Sequence, residues 1–434
     1  MNKFPLFGCI IILLLTGCKR EPVKPSHIAA STDTVSIAPV NPVVNVYIEN
    51  SGSMDGYVTG NTEFKGAIRD LLVLLKHYYS DSEKIKVHFI NSQIRETDTK
   101  ADLATFAQNI NAQWSVKGED RSSSNLNNVF KQILEKTDKE TISILFSDCI
   151  YSIKGKDAEG LLSDEKSLTK DAFLSRWRVD SLGLATTIVK MTSKFSGKYY
   201  DKNNAITVLT GQKRPYYICI VASKDVIDDF NSKIPLERGK IEGFDNKYIM
   251  SSGATDNLYY SILLSSYSEG RFKPQRSHTS DYIHGIEHIK PGRDGKPFTF
   301  GVAVNMKQVA AEEDYLLSPE NYILSDNNFI VKEIVKAEKN QIRSSDWVKI
   351  SKGNPTHVIV LEATGTALAD MTIALKKQTP QWIEQTNIID DSNILKNLDK
   401  TFGIKYLIDG IAEAYETLYP DDKNYFELKI KINK

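Results

Sequence analysis

Val46-Tyr47-Ile48-Glu49-Asn50-Ser51-Gly52-Ser53-Met54-Asp55-Gly56 is the stretch that decides how this chain is read. An apolar run with the character of a buried strand breaks off into Glu-x-Ser-x-Ser. A long amphipathic segment, 62–80, follows after a short polar turn. Carboxylate and hydroxyl oxygens are thereby bunched where a strand hands over to a helix. In an open α/β sheet, ligands bind outside the carboxyl ends of the strands. Oxygen-only donors that include a carboxylate suit a hard divalent cation, Mg²⁺ especially, with Mn²⁺ and Ca²⁺ as alternatives. The plainer reading is that Ser51 or Ser53 makes local backbone hydrogen bonds in a linking turn. Asp55, just before Gly56, reads as a solvated turn residue.

The segment resembles the first strand and loop of von Willebrand factor type A domains, whose metal-ion-dependent adhesion site opens with Asp-x-Ser-x-Ser. Two further pieces come in the family's order. Ser122-Ser123-Ser124-Asn125-Leu126 precedes a helical stretch where the family has Thr-Asn-Leu. Ile142-Ser143-Ile144-Leu145-Phe146-Ser147-Asp148 resembles the buried strand that ends in Thr-Asp-Gly. The resemblance implies an α/β, Rossmann-like domain over 44–250, with a central, mostly parallel sheet flanked by helices. It also implies a ligand set: Ser51, Ser53 and Ser124 as hydroxyl ligands, with Glu49 and Asp148 balancing the charge directly or through water. In that family the ion keeps an open position, which a carboxylate from a partner protein completes. One departure is that Glu49 stands where the family has Asp. Its extra methylene must fold back or displace the intervening water.

The amino terminus points to a compartment. Met1-Asn2-Lys3 begins with a positive charge, and the mostly apolar run 4–15 is short for a bilayer span. It ends in Leu15-Thr16-Gly17-Cys18, which resembles a bacterial lipoprotein signal, 1–17, cleaved before Cys18. Acyl chains such as palmitate on Cys18 would anchor the mature chain, since two or more chains hold stably where one does not. Lys19 and Arg20 follow, not Asp, so nothing marks the protein for inner-membrane retention; the expected location is the cell envelope, at the outer membrane. Residues 18–43 read as the lipidated cysteine and a tether, with Pro22, Pro25, Pro39 and Pro42 set among Ser, Thr and Lys. A disordered chain of that length averages about 25–30 Å end to end and reaches roughly 85 Å.

The 55 basic and 55 acidic side chains leave no global field that favours nucleic acid. About 390 residues beyond the tether exceed one core and suggest two domains. Within the first, 85–90 and 216–222 read as strands, and 62–80, 102–111, 125–134, 181–191 and 225–232 as helices. The charged stretch 153–179 reads as an insertion that leaves directly after Asp148 and overhangs the site, with Arg176-Trp177-Arg178 as its interface-like cluster. From 251 to 434 the period changes to short alternating strands separated by turns, which favours a mainly β, sandwich-like domain with one helix, 404–418. Cys149 and Cys219 read as separately buried thiols.

Enzyme readings are weaker. His284-Gly285-Ile286-Glu287-His288 fits a zinc pattern that requires a sustained helix, but Pro291-Gly292 and strand-like surroundings oppose one. There is no Gly-x-Ser-x-Gly elbow and no Gly-rich phosphate loop. The expectation is therefore a lipid-anchored, protein-binding module. A metal-independent assembly lipoprotein is the first alternative and an envelope hydrolase the second. Cys18→Ser is expected to leave the protein soluble or unprocessed and to remove incorporation of labelled fatty acid. Label retained by that variant would overturn the anchor.

Overall fold

Strand β1, Val43–Glu49, is buried from Val44 onward and carries helices on both of its faces. The structure is a computed structural model describing residues 41–433, apart from 80–83, 98–102, 112–113, 115–120, 122–124, 154–156, 235, 238, 253–257, 278–279 and 310. After β1 come α1 (Asp55–Val58), α2 (Glu63–Tyr78), β2 (Ile85–Ile90), β3 (Ile94–Glu96), α3 (Leu103–Asn109) and α4 (Leu126–Lys136). Then follow β4 (Thr141–Ser147), α5 (Ala158–Asp180), β5 (Leu184–Tyr200), β6 (Ile206–Ser223), α6 (Lys224–Lys233) and β7 (Phe244–Ser251).

These strands form one seven-stranded sheet in the order β3-β2-β1-β4-β6-β5-β7. Only β2-β1-β4 is parallel; the remaining neighbours pair antiparallel. The sheet is thus mixed, where a mostly parallel one was expected. Alternation along β1 explains its two-sided burial. Val44, Val46 and Ile48 pack with Leu71, Leu72 and Leu75 of α2 and Phe230 of α6. Tyr47 faces the other way, into a core with Phe130 of α4 and Phe173 of α5.

Two expectations in this half are corrected. The segment 181–191, read as a helix, belongs to β5: Thr186, Thr187, Ile188 and Val189 are β-branched and buried together in the sheet. The segment 153–179, read as an overhanging insertion, is largely α5, a helix with Leu162, Thr169, Phe173 and Arg176 on its buried side. Asp157 caps it by accepting the Gly160 N–H.

The remaining chain contains β8 (Tyr260–Ile262), β9 (Arg271–Ser277), β10 (Ser280–Lys290), β11 (Thr299–Val304), α7 (Glu313–Leu316), β12 (Tyr322–Leu324) and β13 (Phe329–Lys336). It continues through α8 (Ser344–Ile350), β14 (His357–Ala363), β15 (Met371–Lys376), α9 (Gln381–Thr386), β16 (Asn387–Ile388), β17 (Thr401–Phe402), α10 (Ile404–Leu418) and β18 (Asn424–Ile432). A five-stranded sheet, β12-β15-β18-β10-β9, and a four-stranded sheet, β13-β14-β11-β8, share one core. Phe300 and Leu361 meet Ile373, Leu375 and Phe426 there. The two sheets match the sandwich reading of this half, with β10 and β18 paired parallel, but the single helix expected there is joined by α7, α8 and α9.

Helix α10 does not pack on the sandwich. Leu407, Ile408 and Ile411 enter the core beneath the first sheet, beside Tyr47 and Phe173. Burying each contributes about 1.5–3 kcal/mol, so a boundary at 251 does not separate two self-sufficient cores. The α5–α10 crossing is close: a Cβ on Gly410 would lie 2.6 Å from the Lys166 carbonyl oxygen and 2.9 Å from Thr169 Cβ. Gly410→Val is expected to cost about 1–3 kcal/mol by overpacking. The check is urea denaturation, and an unchanged midpoint would contradict the crossing.

Candidate functional site

The site lies where the sheet changes direction. From β1 the chain steps to β2 on one side, and β4 lies on the other, so the carboxyl ends of β1 and β4 bound a topological switch point. Glu49 is the last residue of β1, and Asp148 directly follows β4. Ile48 lies opposite Phe146, which sets Glu49 level with Ser147. Ser147 Oγ donates to Glu49 Oε2 and accepts the Cys149 N–H at 2.8 Å. Asp148 Oδ1 accepts the Ile150 N–H at 3.2 Å, and the Ser53 hydroxyl bonds to the same carboxyl group. Ser51 Oγ and Ser53 Oγ are 3.0 Å apart. Four residues named from the sequence, Glu49, Ser51, Ser53 and Asp148, are thus brought together.

Both carboxyl groups are nearly sealed from solvent, Glu49 at 2 % and Asp148 at 3 % exposure. Burial and then the neighbouring Glu49 push the Asp148 carboxyl up to about 7, against the pull of Ser53, the Ile150 N–H and Arg214. Cys149 turns the chain after Asp148 with φ at +52°, a left-handed conformation that glycine adopts far more easily. Its sulfur lies 3.9 Å from that of Cys219, and both are free, buried thiols.

Two arginines organise the surroundings, and neither was singled out in the sequence. Arg121 holds the loop: its Nε donates to the Asn50 carbonyl at 2.6 Å, and its Nη2 donates to the Ser51 carbonyl at 3.1 Å and to Asp55 Oδ1 at 2.5 Å. Trp114 Nε1 also donates to Asp55, at 3.1 Å. Asp55 is therefore the anchor of a clamp, not a solvated turn residue. Arg214, on β6, is buried over the Tyr199 ring and donates to the carbonyls of Asn397, Leu398 and Lys400 at 3.3, 3.0 and 2.9 Å. It also bonds Tyr57, whose hydroxyl donates to the Pro215 carbonyl. Arg121 immediately precedes the 122–126 piece and Arg214 lies far from all three pieces, but neither belongs to the motif pattern, so no sequence signal marked them.

Other expected features fall elsewhere. Ser124 and Cys18 lie outside the described residues. Arg121, three positions before Ser124, accepts the Gly52 N–H on its carbonyl at 3.0 Å, and Asn125 caps α4 by accepting the Asn128 N–H at 2.8 Å. Arg176 is buried, donating to the Thr137 carbonyl and pairing with Asp180, while Trp177 packs beside Tyr415 and Leu418 of α10. Arg176 and Trp177 are thus tied to α4 and α10, and Arg178 alone of the three is exposed. His284 and His288 lie on strand β10, so the zinc pattern lacks its helix. Among the described residues, no three His, Cys, Asp or Glu side chains converge as a metal cluster; the strand-end site has two carboxylates, with hydroxyls beside them. Compared with protein-family models, curated proteins and solved structures, the chain matches none.

The raised Asp148 pKa has a definite sign for stability. Its favourable contribution is complete below the ordinary value of 3.8 and is lost as pH rises through about 7. Without added metal, wild type is expected to lose stability across that window relative to Asp148→Asn. Urea midpoints of the two proteins at pH 5 and pH 8 check this. A difference between them that is constant with pH would refute it.

Proposed function

We propose that the chain is a lipid-anchored cell-envelope module of the von Willebrand factor type A kind, which uses a divalent cation to bind a partner protein. The observation that carries this reading is the burial of two carboxyl groups at adjacent strand ends, with the buried Ser51 and half-buried Ser53 in the loop beside them. Such a pair must take up a proton or a cation, because two like charges at low dielectric repel strongly. Hard oxygen donors favour Mg²⁺, which retains waters and accepts a carboxylate in their place. Ser51 and Ser53 would be direct ligands, with Ser124 as a third hydroxyl. Glu49 and Asp148 would supply the negative charge. The left-handed Cys149 supports the reading too, since it occupies the position of glycine in the family's Thr-Asp-Gly. Ser147 occupies that of the threonine and is bonded to Glu49.

In this reading the cation is the grip, and a carboxylate of the partner is what it holds. Lipidation at Cys18 would hold the module to the bacterial envelope, at the outer membrane. A second reading, a metal-independent assembly lipoprotein, is favoured by Arg214, whose buried positive charge lies close enough to lower the Asp148 pKa.

Calorimetric titration with Mg²⁺ and Mn²⁺ distinguishes the two. One site is expected in wild type, lost in Ser51→Ala and in Asp148→Ala, and weaker at pH 5 than at pH 8 because protonated Asp148 competes with the metal. Absence of binding in wild type, or equal binding in all three proteins, would favour the metal-independent reading.

A further inference from the structure

A second site is built at the far edge of the first sheet. Strand β7 is the last strand in the order and, among the described residues, pairs only with β5. In an antiparallel pair, alternate residues turn their N–H and C=O groups away from the neighbour, and an edge leaves them open to another strand. Among the described residues, the one side chain that bonds to the β7 backbone is Lys377, whose Nζ donates to the Ser251 carbonyl at 3.2 Å. The edge runs along a cleft of about 1180 Å³ that takes in Phe244 to Ile249 together with residues of α7, α9 and β18. Small-molecule pockets are typically about 300–1,000 Å³, so this cleft has room for something longer.

Its chemistry is one-sided. Glu237, Asp245, Glu312, Glu313, Asp314 and Glu320 line it against two lysines, Lys247 and Lys336, a formal excess of four negative charges. Lys247 lies 3.7 Å from Glu312, and Lys336 lies 2.9 Å from Glu313. Asp314 and Glu320 are exposed and make no ion pair among the described residues. One buried polar group in its wall is left without a partner, and a tyrosine hydroxyl beside it is available. Tyr425 is only 6 % exposed and lines the cleft, yet its hydroxyl makes no hydrogen bond among the described residues. Trp382 Nε1, in the same wall, is buried with no acceptor. A buried donor without an acceptor costs about 1–3 kcal/mol, so a ligand that supplies carbonyl oxygens has something to satisfy.

We propose that this cleft binds an extended, lysine- or arginine-bearing segment of another protein, which pairs with β7 as an eighth strand. The strand edge supplies main-chain hydrogen bonds that are indifferent to sequence. The carboxylates then select basic side chains, and peptide carbonyls meet Tyr425 and Trp382. Strand addition of this kind draws affinity from the backbone and specificity from alternate side chains.

The test uses the full chain in mild detergent and a fluorescent octapeptide of alternating Lys and Val, read by anisotropy. Saturable binding is expected, weakened at least tenfold by N-methylation of alternate peptide amides. A Glu-Val octapeptide should not bind. Asp314→Lys combined with Glu320→Lys should weaken binding at least tenfold while leaving the thermal midpoint unchanged, because both positions are exposed. EDTA should have no effect, which separates this site from the strand-end cation site. The proposal is overturned if the Lys-Val peptide fails to bind at 1 mM, if the N-methylated or Glu-Val peptide binds equally well, or if the double variant binds as wild type does. Loss of binding in EDTA would assign the peptide to the strand-end site and overturn it equally.

Discussion

Two buried carboxyl groups at neighbouring strand ends set the terms for the first half of this molecule. Glu49 and Asp148 are placed by register: β1 and β4 run parallel, and their last residues are level. Each carboxylate moved out of water carries a large desolvation penalty, and nearness to the other adds repulsion. The fold answers with donors. Ser147 serves Glu49; Ser53 and the Ile150 N–H serve Asp148; Arg214 supplies positive charge from below. These arrangements offset the cost only in part, as the elevated Asp148 carboxyl records. The balance left over favours a proton on Asp148.

Arg214 ties this local problem to the distant carboxyl-terminal chain. Its guanidinium reaches Tyr57 behind the loop and three backbone carbonyls at 397–400. Tyr199, stacked beneath that guanidinium, donates to Asp391 at 2.5 Å, and Tyr217 donates to Thr401 at 3.0 Å. The segment from Asp391 to Thr401 is therefore a structural wall of the first sheet, although it follows most of the sandwich in sequence. Its backbone carbonyls are satisfied by a buried cation, which makes their position specific.

Much of this could be read in advance where local chemistry is strong. The apolar strand ending in Glu49, the strand ending in Asp148 and the helix after Thr62 all show in short windows of sequence. So does the stripe of α10. What failed had a physical reason. β5 is buried on both faces, so its alternation vanishes, and its β-branched residues were outweighed by a helix-like spacing. Helix α5 buries Thr169 and Arg176 along with Leu162 and Phe173, and a stripe that includes polar residues looks like a solvated loop. Arg121 and Arg214 act through contacts 70 and 184 residues away, which no local window contains. The partner of α10 was invisible for the same cause: an amphipathic face states that it will be covered, but not by what.

The return of 381–418 to the first sheet governs when that sheet can become whole. Tyr47, Leu145 and Tyr217 lie in a core closed by Phe402, Leu407 and Ile411. During vectorial synthesis α4 and α5 can cover part of that apolar face early, but the part under Phe402 and α10 stays open until the sandwich strands up to β15 have been made. Contacts of such long sequence separation close slowly. The intervening sandwich carries its own core, so it can collapse while the sheet that precedes it is still waiting. A chain interrupted before residue 400 would present a sticky, half-covered sheet, a species prone to self-association.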